Sequence, residues 1–215
     1  MTPPPNPPPD SNKPDSPKPD WISRWQRIAR RIRVPLGFAT AALYLFELER
    51  RAPQSKAIAW SLALVLPGLW LRAYAAGYVK KNQELTTTGP YAHVRNPLYV
   101  GSILIAAGFA VALLSWPVAV ALTVMFVAIY VPVIASEERF LRATFPGFDA
   151  YCRCVPRLIP RLTPARNENH GDPGRFKFAL YRKHREYNAL LGAMLLYLGL
   201  VFLRPMLSAV FHGQS

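Results

Sequence analysis

Thr88-Gly89-Pro90-Tyr91-Ala92-His93-Val94-Arg95-Asn96-Pro97-Leu98-Tyr99-Val100-Gly101 is the stretch whose reading decides the fold. A Gly-Pro turn opens it, and Asn96-Pro97 starts an apolar run that continues to Ser115. Asn is a favourable N-cap, and Pro fits the first helical position because the N–H it lacks has no intrahelical partner there. The pattern predicts a helix entering a membrane at Arg95 and Asn96, with Tyr99 and Gly101 one turn inside. Such an N-terminus offers N–H groups and positive potential to an anion. A cation, an aromatic ring and a glycine on that turn suit a nucleotide or a carboxylate. Each residue alone has a plainer account: a cap, a snorkelling cation, a belt aromatic and a packing notch. Function rests on the group together with a second motif, Ser136-Glu137-Glu138-Arg139-Phe140-Leu141.

Working outward, apolar segments run over 34–46, 57–79, 98–115, 116–135 and 187–203. Most approach the roughly 20 residues of a bilayer span. The expected fold is therefore all-α, a polytopic membrane helical bundle of about five transmembrane helices. The third and fourth are joined at Ser115-Trp116-Pro117 with no charge between them and should form a tight hairpin. Residues 1–20 read as a disordered Pro-rich tail. In 21–33, Trp21 and Trp25 share the apolar face of a helix whose other positions hold Arg24, Arg27, Arg30, Arg31 and Arg33, as an interfacial amphipathic helix requires. A signal peptide is disfavoured because Glu47-Leu48-Glu49-Arg50-Arg51 follows the apolar run instead of a small-residue cleavage site. The membrane core then spans 34–164, and 165–215 supply a basic loop and a last transmembrane helix.

The net charge is +14, with 26 Lys and Arg among 215 residues. These cations flank apolar segments and form no aromatic-interleaved patch, so they read as topology signals and lipid-headgroup contacts and not as a nucleic-acid site. Most lie before residue 34 or within 136–186. That asymmetry puts the N-terminus and both motifs on the cytoplasmic side. Cys152 and Cys154 are too close for an ordinary bridge and too few for zinc, so no metal is expected.

Arg72 falls in the inner half of the second apolar segment, where an ionisable residue is either functional or snorkelling. Glu137 and Glu138, read as standing at a helix C-terminus, oppose the dipole and repel each other. Glu138 and Arg142 are spaced to pair at i,i+4, which leaves Glu137 for another cation, such as a ligand ammonium. The hairpin brings Arg95–Gly101 and Glu137-Glu138 to one membrane face. Beyond them, Phe145 to Tyr151 and Val155-Pro156-Arg157 read as a short aromatic helix and a loop that either covers the site or straps the interface.

Leu71-Arg72, Leu85-Thr86-Thr87-Thr88-Gly89-Pro90-Tyr91, Arg95-Asn96-Pro97-Leu98-Tyr99-Val100-Gly101, Glu137-Glu138-Arg139-Phe140-Leu141, Tyr151 and Val155-Pro156 occur in that order. Over residues 68–160 this set resembles the isoprenylcysteine carboxyl methyltransferase and phospholipid methyltransferase family. The resemblance implies an integral membrane enzyme using S-adenosylmethionine, with a lipid-like acceptor arriving from the bilayer. It implies that Arg95, Pro97, Tyr99 and Gly101 line the cofactor pocket with Glu137 and Glu138, and Tyr91, His93 and Asn96 are read as further cofactor contacts. At the reacting end, Arg72 or Arg95 would orient a carboxylate acceptor, and Glu137 or Glu138 would be the base for an amine. One departure is Asn96, where the family usually has His; Asn can hydrogen-bond but cannot titrate near neutral pH. A carboxylate acceptor of prenylcysteine type is expected, because an amine acceptor needs a dedicated base and the motifs offer few. The alternatives are phospholipid amine N-methylation, an NADPH-dependent sterol-type reductase with Lys80-Lys81 at the extra phosphate, and a lipid-binding scaffold without chemistry.

Overall fold

The computed structural model describes residues 20–51, 54–80, 84–165 and 174–203, with side chains from residue 35 onward. The Pro-rich tail, the side chains of the amphipathic face at 21–33, and Lys81 lie outside the described residues. Among the described residues there are seven α-helices and no strand. They are α1 (Asp20–Arg50), α2 (Ser55–Ala76), α3 (Pro97–Leu113), α4 (Trp116–Thr144), α5 (Phe148–Cys154), α6 (Phe178–Lys183) and α7 (Tyr187–Leu198). A 3-10 turn, Gly89–Ala92, precedes α3, and Gly199–Leu203 prolongs α7 as a π-helical turn. The interfacial and first apolar segments form one uninterrupted helix, α1, with Pro35 inside it.

By length and composition α2 and α4 can each cross a membrane, while α3 and Tyr187–Phe202 are apolar but shorter. Their outward faces carry Trp60, Leu66, Trp70, Val120, Val124 and Val127, all exposed, as a lipid-facing surface would.

The closest helix pair is α2 with α3. Small residues permit it: a Cβ on Gly68 would lie 2.8 Å from Gly101 O, and one on Gly108 would lie 2.9 Å from Ser61 O. The connection between α3 and α4 is as short as expected, with Leu114 left-handed at φ 48° and Ser115 starting α4. Yet α3 packs mainly along α2, and α4 packs mainly along α1. The junction is pinned from α1: Ser115 Oγ donates to Glu47 Oε2 at 2.8 Å, and Arg51 Nη1 to Leu114 O at 3.2 Å. Tyr44, Val65, Phe109, Val118 and Leu200 fill the core beneath it.

Candidate functional site

At the opposite end of α3, Asn96 occupies the N-cap position and Pro97 the first turn. The cap is positional: Asn96 makes no side-chain cap bond. Its Nδ2 donates instead to Arg157 O at 3.1 Å. Residues 92–96 are laced to the loop after α5. Arg95 N donates to Pro156 O, Arg161 N to His93 O and Ala165 N to Ala92 O, each at 2.9 Å. His93 Nδ1 donates to Arg161 O at 2.8 Å. The proline-punctuated loop therefore covers the Arg95 segment.

Glu137 and Glu138 do not stand at a helix terminus. α4 continues to Thr144, because Arg139, Leu141 and Arg142 are good helix formers and Pro146 disfavours helix only at Phe145. The repulsion within the doublet is relieved by separate environments. Glu138 is 5 % exposed and meets Arg95 Nη1 at 3.2 Å. Arg157 Nε donates to its Oε1 at 3.0 Å, and Arg157 Nη2 also reaches Oε2. The expected Glu138–Arg142 pair is corrected: Arg142 turns to Asp149 Oδ1 at 2.7 Å. Glu138 is instead shared between the largely buried Arg95 and Arg157, which is as exposed as Arg142 but reaches both carboxylate oxygens. Bonding to Glu138 holds the Arg157 guanidinium above its usual range, and burial opposes this only in part.

Glu137 is half-buried and forms no ion pair among the described residues. It lies close enough to Tyr91 to act on it electrostatically, as do Tyr99 and Glu186. Tyr99 packs edge-on against Tyr130 of α4 at 5.3 Å between centroids. Arg95 Nη1 also donates to Cys152 Sγ at 2.9 Å, whereas its buried Nε has no partner among the described residues. Pro97 is buried in the first turn of α3. Gly101 answers to helix packing, since a Cβ there would meet Arg72 Cγ at 2.6 Å and Gly68 O at 2.7 Å.

Arg72 does not snorkel freely. Its Nε and Nη2 donate to Glu186 Oε2 at 3.0 and 2.7 Å. Its Nη1 donates to Leu98 O at 3.3 Å and to Ser102 Oγ. Glu186 and Arg157 are the residues sequence reasoning missed. The signal was available: an arginine within a span, and a buried acidic residue, each require a counter-charge.

Behind the site, Tyr151 OH donates to Tyr91 O at 2.8 Å, and Phe148, Tyr151 and Val155 form a second small core. Burial raises both tyrosines well above the ordinary value of 10.0. Because the unfolded chain loses these protons first, their contribution to stability is complete below about pH 10 and declines as the pH rises further. Removing the hydroxyl in Y151F should destabilise the fold by about 1–3 kcal/mol, since it leaves Tyr91 O buried without a donor. A thermal melt checks the first effect, and its alkaline limb the second.

The described chain is thus an all-helical protein of membrane type, with a cation and an acidic doublet meeting at one end of its apolar helices. Residues 58–147 match the model of the phospholipid methyltransferase family, which bears out the methyltransferase resemblance over that segment. The chain is 40 % identical over 101 residues to the cobalt-zinc-cadmium resistance protein CzcN of Cupriavidus metallidurans, covering 47 % of this chain and 46 % of that one. The nickel-cobalt-cadmium resistance protein NccN of Alcaligenes xylosoxydans xylosoxydans is similar over the same shares, also at 40 % identity. The chain therefore spans about half the length of the curated relatives it matches. No solved structure matches. Tyr151, Arg157 and Glu186 lie beyond the family match.

Proposed function

We propose that the protein is an integral membrane S-adenosylmethionine-dependent methyltransferase acting on a lipid-like acceptor. The observation that carries this reading is the junction of Arg95 with Glu138 beside an ion-pair-free Glu137, within a segment matching a methyltransferase family. The residues present fit the cofactor. Arg95 has a buried, unpartnered Nε suited to an α-carboxylate, and Glu137 suits an ammonium or sulfonium. We assign Tyr91, Asn96, Pro97 and Tyr99 to the same cofactor site, and His93 bonds to the covering loop. When bound, S-adenosylmethionine supplies an electrophilic methyl group. The chain supplies alignment and exclusion of water, the main demands of such a transfer.

Glu138 has both oxygens engaged by arginines, so its role is to position Arg95 and not to accept a proton. This favours an acceptor that needs no base, a carboxylate of prenylcysteine type, over a phospholipid amine. Arg72 is the cation placed to orient it. A reductase has less support, because Lys80 is already paired with Glu84 at 2.8 Å. We read the topology as five crossings, with the site at the cytoplasmic face. The metal resistance named for the relatives sets a further expectation here: loss of this protein should alter tolerance to those cations.

Membranes containing the full chain, incubated with methyl-labelled donor, test the reading. Base-labile label in a lipid or lipidated protein is expected. Base-stable label would replace the carboxylate with an amine, and no label above the R95A background would remove the enzyme reading.

A further inference from the structure

The Arg72–Glu186 contact joins the residue that begins the last apolar helix to α2, and Arg72 also reaches the start of α3. The Nε–Nη2 edge of a guanidinium is the edge that grips a carboxylate through two parallel bonds. Here both donors converge on one oxygen, Oε2, of Glu186, so the grip falls short of a full fork. The remaining nitrogen, Nη1, is fixed by Leu98 O and Ser102 Oγ on α3. Arg72 is therefore fixed to α3 through Nη1, while its carboxylate-gripping edge engages only one of the two oxygens of Glu186.

The Glu186 side is also the weaker side mechanically. Arg185, immediately before it, has φ 54°, a left-handed conformation that a residue with a long side chain seldom adopts. Residues 187–192, the first turns of α7, hold no buried residue. Packing begins at Ala193 and continues at Tyr197, whose OH lies 2.5 Å from Ser61 Oγ, so those first turns can open while the rest of the helix stays anchored. His184 Nε2, donating to Val79 O at 3.1 Å, tethers the chain just upstream. A hinge at Arg185 is thus flanked by a tether before it and by lightly packed first turns of α7 after it. Glu186 also acts electrostatically on Tyr91 together with Glu137, which places it at the candidate site.

We propose that Glu186 is an internal oxyanion that occupies Arg72 until the oxyanion of an incoming amphiphilic acceptor displaces it, so that α7 gates the site. This rests on the methyltransferase reading for the word acceptor, but the displacement itself does not require methyl transfer. Arg72 has a low-cost exchange available, one carboxylate oxygen for two oxygens of a ligand on the same edge. The charge balance at Arg72 is unchanged by the exchange, because one oxyanion replaces another on the same guanidinium edge. A carboxylate at the end of a lipid chain and a lipid phosphate share this chemistry.

Hydrogen exchange over residues 184–192 of the full chain in neutral detergent tests the gate, with palmitate, dodecyl phosphate and dodecanol as probes. Both oxyanions should accelerate exchange several-fold and dodecanol should not; the more potent of the two identifies the source as carboxylate or phosphate. No acceleration by either, or equal acceleration by dodecanol, would overturn the proposal. The charge-swapped pair R72E/E186R moves the cation to α7 and gives up the Leu98 O and Ser102 Oγ bonds, so it should melt below the unmodified chain and lose the response. A retained response would make the pair purely structural. Should the swap not fold, E186Q decides: it should exchange rapidly without any probe, and slow, probe-sensitive exchange would contradict the gate. A responsive segment in a protein that transfers no methyl group would sink the enzyme reading alone, and methyl transfer with an unresponsive segment would sink the gate alone.

Discussion

Glu138→Gln should destabilise the folded chain by about 3–5 kcal/mol and weaken S-adenosylmethionine binding at least tenfold. Glu138 is the shared anion of Arg95 and Arg157, and it lies almost wholly out of solvent. Its amide replacement offers one acceptor oxygen and two donors, so it cannot satisfy both guanidiniums and leaves positive charge facing its own N–H groups. Arg95, with a side chain only 15 % exposed, lies under the covering loop, whose Pro156 O accepts from its backbone N–H. Arg157 is half-exposed and can leave. The covering loop should therefore lift from residues 92–96 in this variant. Limited proteolysis after Arg157 and Arg161, compared with the unmodified chain, measures that lifting; unchanged protection would show that Glu138 is not the keystone.

Gly68→Leu should be the most damaging substitution away from the site. A Cβ at that position would already lie 2.8 Å from Gly101 O and 2.9 Å from Ile105 Cγ1. The first of these is backbone and cannot rotate away. Overpacking commonly costs about 1–3 kcal/mol where neighbours can shift; here α2 and α3 must separate, so the loss should reach the top of that range or exceed it. Arg72 lies one turn further along α2 and takes its Leu98 and Ser102 partners from α3. Separation of the helices should therefore also abolish methyl transfer. G68A is the graded control, with a smaller drop in melting temperature. Equal stability of the Leu variant and the unmodified chain would refute the interlock.

How much of this was legible in the sequence depends on the range of each interaction. The start of α3 at Asn96-Pro97 and the start of α4 after Ser115 follow from local backbone chemistry, and both appear where they were expected. The meeting of the Arg95 loop with the acidic doublet follows from two helices joined by a two-residue link. Which acid takes which base did not follow. Proximity along the helix favoured Arg142 for Glu138, but Asp149 lies close enough to claim it, and Arg157 is delivered by a loop whose path no periodicity encodes. The extent of α4 was underestimated because the doublet looked like a terminus, whereas pairing with Arg95 and Arg157 removes the penalty of continuing. Glu186 was hidden for a similar reason: it belongs to a segment outside the recognisable motifs, and only the bundle brings it to Arg72. Gly101 carried two readings, a packing notch and a cofactor contact by resemblance, and the close approach of Arg72 and Gly68 from α2 is a contact that sequence order alone does not encode.

Equilibrium binding of labelled S-adenosylmethionine to the purified full chain, alongside R95A and E137Q, tests the central claim most directly. Saturable binding that falls at least tenfold in both variants is the expected result. No saturable binding by the unmodified chain, or equal binding by all three proteins, would contradict it.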